Sequence, residues 1–382
     1  MTALRFSAYR QISGIGGICR QQGLTLVELM VALTISLILL AAISQVFLTS
    51  RQTYTIEENQ ARTQEAGRFA MEFLSYDIRM AGYTGCSSKL AVGTPVGGVC
   101  PNGTVCSIAN PNNTLVNFNP NGISAHKYTG NGTGTALTDW TPNLSSDYFS
   151  AGDVRPNTDV IIIHRGSTTD THLTGNTTPS NANVQILNTA SIVGELSADD
   201  ILIVSDCRNA DVFRATSVSN SGSDKKTVAH SNSSNSEVNL THSYGNDAQL
   251  MKLISRAYYI GTGASGEPAL FRKELTNSGG PTAVAQELVE GVEDMRLSFG
   301  EETEAVNSRD YVPNRFVRAD AVTSYGMVVA VRVGLATRTS TNVAQDVSLA
   351  TPLSFDGISF PAPAADDRRR RQYYLATIQK RN

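Results

Sequence analysis

This sequence lacks the short motifs that mark the common catalytic and nucleotide-binding sites. It contains no HExxH zinc-protease motif, no GxSxG nucleophile elbow, no P-loop and no EF-hand loop. Its histidines are too scattered for the spacing that metal ligands need, and they stand at His126, His164, His172, His230 and His242. We therefore expect no enzyme activity, no cofactor, and neither a catalytic nor a metal site.

Basic charge is also in short supply. The chain has 31 Lys and Arg against 34 Asp and Glu, a formal net charge of −3 at pH 7. Three arginines and no acid precede Leu24, so a chain beginning there would carry 28 basic and 34 acidic residues, or −6. A mildly acidic protein is not a general nucleic-acid binder, and we expect no direct nucleic-acid partner. The densest charge run, Arg368 to Arg371, is interpreted as a solvated strand end or a partner contact rather than a DNA site.

Charge is almost absent from Leu24 to Leu48, where Glu28 is the one charged residue. At ~1.5 Å per residue these 25 residues form a helix of about 37 Å, and roughly 20 apolar residues suffice to cross a bilayer. The arginines before the run predict that its start is cytoplasmic. An ionisable group inside a span costs roughly 2.5–3.5 kcal/mol on insertion scales. Glu28 is therefore either functional or hydrated near the headgroups.

A glycine stands directly before the apolar run, the reverse of the order in a secretory signal peptide. The stretch "GLTLVELMVALTI" resembles the leader junction of type IV pilins and of type II secretion pseudopilins. The resemblance implies that a prepilin peptidase cuts after Gly23 and methylates the new amine of Leu24, although these proteins usually have Phe at that position. It also makes Glu28 the fifth mature residue. Glu28 would then pair with the Leu24 amine of its own chain or of a neighbour, relieve two buried charges and set the axial register.

The cysteines are few, and four of the five follow the apolar run. Cys19 would leave with the leader, and the remaining even set indicates two disulfides in an oxidising compartment. Four buried thiols are the alternative, and a zinc site is disfavoured because there is no CxxC pair. The stretches "GYTGC" and "SDCRNADVFRAT" resemble PilW-type minor pilins. That resemblance implies a Cys86–Cys207 bridge and leaves Cys100 and Cys106 to close a short loop.

Proline is absent and glycine nearly so from Arg51 to Met80. Apolar residues recur there at three- and four-residue spacings, typical of an amphipathic helix, at Ala66, Phe69, Ala70, Phe73, Leu74 and Ile78. We predict one helix from Thr25 to about Met80, ended by Gly82. Its second half would lay the Phe69 and Phe73 stripe on a sheet.

The rest of the chain alternates loop-like and strand-like composition. Residues 84–158 are rich in Gly, Asn, Thr and Pro and predict a long loop region with a few short strands. From Asp159 onward, apolar and alternating runs predict strands, in "DVIIIHRG", "ILIVSDCRNADVFRAT", "LMKLISRAYYI", "PALFRKEL", "EGVEDMRLSFG", "GMVVAVRVGLATRT" and "RRQYYLATIQKRN". Segments 167–195 and 217–247 are rich in Ser, Asn and Thr and predict mobile surface loops. Four acids near Cys207 either hold Ca²⁺ or shape turns, namely Asp199, Asp200, Asp206 and Asp211.

These observations predict an α+β protein with a type IV pilin-like fold, in which a long N-terminal helix packs on a C-terminal antiparallel sheet with long loop insertions. The expected domains are a cleaved cytoplasmic leader 1–23, a helix 24–82 that spans the membrane at about 24–48, a disulfide-tied loop region 83–158 and a periplasmic sheet domain 159–382.

The resemblance implies a PilW-type minor pilin that primes type IV pilus assembly, in or at the tip, and supports twitching motility or DNA uptake. The alternatives are a J-type pseudopilin of type II secretion and a tip adhesin that binds a ligand through residues 84–158. Expected partners are other minor pilins, the major pilin, the prepilin peptidase, the inner-membrane assembly platform and, before assembly, the lipid bilayer. The expected location is the bacterial inner membrane in a single pass, and then the pilus at the cell surface.

Overall fold

The computed structural model describes most of the chain from Thr25 onward. The chain divides into two compact units, Met1–Ile56 and Glu57–Asn382. The described residues are 25–85, 91–93, 96, 98–109, 121–146, 148–175, 177, 183–274, 284–304, 310–342, 353–364 and 366–381.

One long helix, α1 (Leu26–Met80), begins the described chain and continues for 55 residues. It ends where Gly82 takes a φ of +78°, a left-handed conformation that costs glycine little. The Tyr83 amide donates to the Met80 carbonyl across this turn at 3.0 Å, and the Gly82 amide donates to the carbonyl of His164 at 2.9 Å. The end of the helix is thereby fixed to a strand.

The second half of α1 buries only part of the predicted apolar stripe, since Ala70, Leu74 and Ile78 are buried. Its buried residues are Thr63, Gly67, Ala70, Leu74, Asp77 and Ile78. The expectation that Phe69 and Phe73 lie on the sheet is wrong, since these side chains are 40% and 39% exposed. Small residues on the buried face let the helix approach the sheets closely, and the bulky aromatics are left outside.

The larger sheet has ten strands and is mostly antiparallel, in the order β1-β2-β8-β7-β11-β5-β3-β4, with β12 on β11 and β13 on β12. The long strand β11 pairs with β5 along one side, and along the other side first with β7 and then with β12. Only β1–β2 and β2–β8 are parallel among its described pairs. Its strands are β1 (Ala91–Val92), β2 (Thr104–Ser107), β3 (Ile123–Tyr128), β4 (Trp140–Thr141), β5 (Val160–His172), β7 (Ile201–Ser205), β8 (Ala210–Arg214), β11 (Gln249–Thr262), β12 (Pro268–Glu274) and β13 (Val284–Glu290).

A second, four-stranded antiparallel sheet follows in the order β15-β14-β16-β19. Its strands are β14 (Val292–Glu301), β15 (Arg315–Val317), β16 (Val328–Arg338) and β19 (Arg371–Gln379), and a hairpin of β17 (Ser354–Phe355) and β18 (Ile358–Ser359) lies between the last two in sequence. Short 3₁₀ turns occupy Leu137–Asp139, Ser191–Glu195, Ala319–Ala321 and Tyr325–Met327. A long apolar helix packed on largely antiparallel sheets is the expected α+β fold.

The main core joins the helix to both sheets. Ala70, Leu74 and Ile78 of α1 belong to one buried apolar cluster together with residues of β3, β5 and β11 and of β14, β16 and β19. Apolar residues alternate in the sequence from Met327 to Leu335, which predicts one buried face for β16, and this pattern holds only for the later residues. A β-bulge where β16 meets Gly300 and Glu301 shifts the pattern, so that Val328 is buried and Val329 is only half-buried.

Segments 167–195 and 217–247 are not simply mobile surface loops. They contribute the rest of β5 and a three-stranded antiparallel sheet of β6 (Asn183–Leu187), β10 (Lys225–Ala229) and β9 (Ser217–Ser221). This sheet has its own apolar cluster, which includes Val184, Ile186 and Val228 and reaches Phe213 of β8. The polar composition concealed the few alternating apolar residues that bury one face.

Candidate assembly site

The described chain begins with a reciprocal cap between Thr25 and Glu28. The Thr25 amide and hydroxyl both donate to Glu28 Oε2 at 3.0 Å, and the Glu28 amide donates to Thr25 Oγ1 at 3.3 Å. This is a capping box, with Thr25 at the N-cap and Glu28 at the third helical residue. Glu28 therefore lies against the positive end of its own helix. The T-x-x-E spacing in "TLVE" is the sequence signal for this cap, and it adds Thr25 to the residues of the site.

The proposed cleavage site lies immediately before this cap. Gly23 and Leu24 are outside the described residues, so the cut after Gly23 and the methylation of Leu24 remain predictions. Cleavage there would create a new amine at Leu24, one residue before the cap in the sequence. A pairing of Glu28 with an amine would have to share or replace the two bonds from Thr25.

The apolar first half of α1 is exposed along its length. Each described residue before Ile56 is exposed, and the helix contains an 18-residue window with a mean hydropathy of 2.6. By length and composition it can cross a membrane. Such a surface needs lipid or other apolar helices around it.

An acid at the centre of the core fixes the second half of α1. Asp77 is 1% exposed and accepts a bond from Arg165 Nε of β5 at 3.0 Å. It also accepts bonds from Arg256 at 3.2 Å and from the hydroxyl of Tyr258 at 2.6 Å, both on β11. Two arginines and a hydroxyl of the sheet surround the carboxylate, and these bonds hold the helix on the sheet.

Tyr258 shows how deeply this group of residues is buried. Burial, and then the negative charge of Asp77, raise the pKa of the Tyr258 hydroxyl well above its ordinary value. The phenol therefore stays a hydrogen-bond donor at every physiological pH. Sequence analysis missed Asp77, although it shares the helical spacing of the buried Leu74 and Ile78.

One of the two expected disulfides lies entirely within the described residues. Cys100 and Cys106 form a disulfide, the same pair that the resemblance leaves to a short loop. Cys207 is also disulfide-bonded, at a turn where its φ is +69°. Cys86 lies outside the described residues, and its pairing with Cys207 stays a prediction.

Three of the four acids near Cys207 serve separate local bonds. Asp206 accepts amide bonds from Arg208 and Asn209, and so shapes the turn between β7 and β8. Asp211 is buried and accepts bonds from the Thr241 amide and hydroxyl, and Asp200 pairs with Lys252 at 2.8 Å. Within the described ranges no three His, Cys, Asp or Glu side chains are grouped as metal ligands would be.

His164 and two arginines of the run 368–371 have partners within the protein. His164 of β5 is buried, its Nδ1 lies 2.7 Å from Ser255 Oγ, and burial lowers its pKa to about 4. Arg371 pairs with Glu293 at 2.7 Å, and Arg369 pairs with Glu267 at 3.4 Å. Two arginines of the run therefore form ion pairs with acids of the same chain.

Comparison with known proteins agrees with this arrangement at both ends of the chain. The prokaryotic N-terminal methylation motif matches residues 18–44, and the family "Type IV Pilus-assembly protein W" matches residues 257–382. The second match covers β12 to β19, the hairpin partner of β11 and the whole four-stranded sheet. No curated protein sequence matches the chain significantly.

Among solved structures, the type IV-like pilin TTHA1219 from Thermus thermophilus is similar over part of the fold. It is 18% identical, the match covers 34% of this chain and 68% of that one, and the TM-score is 0.22. This overall agreement is too low to argue from.

Proposed function

We propose that this chain, a PilW-type protein of the type IV pilin class, is a minor pilin that primes pilus assembly and sits in or at the tip of the pilus. It would thereby support twitching motility or DNA uptake. The proposal concerns a structural subunit without catalytic chemistry or cofactor. Among the described residues, Asp77, Asp211 and His164 form hydrogen bonds within the protein core.

The observation that carries the proposal is the capped carboxylate at the start of an uncovered apolar helix. Glu28 already faces the helix end at which cleavage would create the Leu24 amine. In a membrane, both charges would be costly if left unpaired. Pairing Glu28 with the amine of an adjacent subunit would relieve both and fix the axial register.

The remaining partners follow from the same end of the chain. The prepilin peptidase would act between Gly23 and Leu24, and the lipid bilayer would surround the apolar half of α1 until assembly. The C-terminal unit would lie in the periplasm, where the Cys100–Cys106 disulfide can form. Other minor pilins, the major pilin and the inner-membrane platform would then meet the helix.

The experiment that tests this function is deletion of the gene with complementation in cells that have both pili and type II secretion. Sheared pili and secreted exoproteins are quantified side by side. We expect loss of surface pili, normal secretion and rescue by the wild-type chain. Normal piliation with lost secretion would instead identify a pseudopilin. Normal piliation with lost adhesion alone would favour the tip adhesin.

A further inference from the structure

A groove runs along the outer side of α1 between the two sheets. The helix contributes Phe69, Phe73 and Tyr76, strands β11 and β12 contribute Arg256 and Arg272, and β19 contributes Tyr374. We call it the helix groove. Its volume of about 1630 Å³ exceeds the roughly 300–1,000 Å³ of small-molecule pockets. The helix groove therefore suits a segment of polypeptide.

The floor of the helix groove is an aromatic stripe in contact with solvent. Phe69, Phe73 and Tyr76 are 40%, 39% and 50% exposed, and their spacing places them on one face of the helix. The buried face of the same helix is already filled by the core. These aromatics consequently serve neither the core nor the lipid-facing segment.

The helix groove is strongly positive in an acidic protein. Six arginines and two acids, Glu72 and Asp77, line it, but Arg256 and Arg371 are paired with acids, so the positive charge comes from the other four arginines. Arg68, Arg79, Arg272 and Arg381 form no ion pair within the described part of the chain. Arg68 instead lies 5.4 Å from the ring of Phe69. Apolar anchors with a cationic rim complement a segment that has apolar residues flanked by carboxylates.

We propose that the helix groove holds an acidic amphipathic helix of a different pilin subunit. Its apolar side chains would lie on Phe69, Phe73 and Tyr76, and its carboxylates would lie opposite Arg68 and Arg79. A second copy docked symmetrically would bring the same arginines together. Repulsion between these like charges would oppose such a dimer. This inference rests on the proposed function, because it names the kind of partner that a minor pilin would hold at this surface.

The test uses the full-length chain in piliated cells, with a photo-cross-linking benzoylphenylalanine in place of Phe73. A matched control carries benzoylphenylalanine in place of Val238, which is 43% exposed and lies in segment 217–247. We expect an adduct from position 73 alone, in which mass spectrometry identifies another chain with an N-terminal methylation motif. Arg68→Glu with Arg79→Glu should reduce that adduct about tenfold, because two attractive contacts become repulsive. Lysine substitution of the partner's acids at the cross-link should restore it.

Several outcomes overturn the inference. They are an adduct with a second copy of this chain, an adduct with the chain's own residues 275–283, no adduct at position 73, and an adduct that the arginine reversals leave unchanged. Chain abundance and the Cys100–Cys106 disulfide establish that each variant is folded. Absence of the chain from sheared pili contradicts the proposed function instead, whereas a charge-sensitive adduct with another pilin in the membrane still supports the helix groove.

Discussion

Gly67 of α1 faces the ring of Tyr374 in β19 at a distance that excludes any side chain. A Cβ on residue 67 would lie 2.2 Å from Tyr374 Cε2. The Tyr374 hydroxyl, which donates to Gln372 Oε1 at 2.7 Å, also lies 3.3 Å from the Thr63 carbonyl, one turn earlier on the helix. The helix and the last strand therefore fit one another at this point, and the fit fixes the wall of the helix groove.

We expect Gly67→Ala to destabilise the unit Glu57–Asn382 by about 1–3 kcal/mol, the usual cost of overpacking. The clash outweighs the gain of up to about 1 kcal/mol from replacing glycine in a helix. Urea unfolding measures the difference, and Gly194→Ala is the matched control because nothing lies within 4 Å of a Cβ there. A Gly67→Ala variant as stable as its parent would show that the contact is not tight.

Asp77→Asn should be the more severe of two changes in the buried hydrogen-bonded group. It leaves Arg165, which is 4% exposed, without a counter-charge, and such a change costs about 3–5 kcal/mol. Tyr258→Phe removes one bond to a charged group and should cost about 1.5–3 kcal/mol. Chemical denaturation of both variants checks the order. Equal or reversed losses would contradict the central place given to the Asp77 charge.

Stability should carry a pH dependence from His164. Burial lowers its pKa from 6.5 to about 4, so between those values the unfolded chain binds a proton that the folded chain refuses. Stability is therefore lost as the pH falls through this window, by up to about 3 kcal/mol. Burial raises the pKa of Asp294 to about 7, which has the opposite effect as the pH falls from about 7.

The His164 contribution is isolated by comparing the parent with His164→Gln. The stability of the parent relative to the variant should fall by about 3 kcal/mol between pH 7 and pH 4. Unfolding curves at both pH values provide the measurement. A difference that does not change with pH would mean that His164 is protonated as readily inside the protein as in water.

The two disulfides should differ in their effect on stability. Peptide mapping without reduction should recover Cys100–Cys106 and Cys86–Cys207. The chain-entropy model gives about 2 kcal/mol for the short loop and over 4 kcal/mol for a loop of roughly 120 residues. Cys207→Ser should therefore lower the unfolding midpoint more than Cys100→Ser with Cys106→Ser. A free thiol at Cys207 in the parent would reject the second bridge.

The sequence predicts the long helix and most strands because their signals are local. Unbroken apolar spacing identifies α1, and "GTGASGE" between two apolar runs identifies the β11–β12 hairpin. The spacing correctly places Ala70, Leu74 and Ile78 on the buried face but not the exposed Phe69 and Phe73, because size and hydrophobicity alone favour burial of the two rings. Which face is buried was decided by distant partners, the ring of Tyr374 beside Gly67 and the arginines around Asp77.

The assembly site was likewise predictable only where its signal is local. Glu28 is conspicuous as a lone charge in an apolar run, and Thr25 could have been found from the capping-box spacing. The helix groove could not have been found in this way. Its arginines come from α1, β11, β12 and the end of the chain, and only the tertiary fold brings them together.

The claim that this chain assembles into pili through the Glu28 charge is tested most directly by the partition of Glu28→Gln between sheared pili and the membrane. Glutamine retains an acceptor for the Thr25 cap but cannot neutralise an amine. We predict that Glu28→Gln is cleaved, inserted in the membrane and depleted from pili as strongly as Glu28→Ala, whereas Thr25→Ala, which keeps the carboxylate, enters pili nearly as well as the wild type. If Glu28→Gln partitions into pili as the wild type does, the carboxylate serves only as a helix cap and the pairing account is wrong.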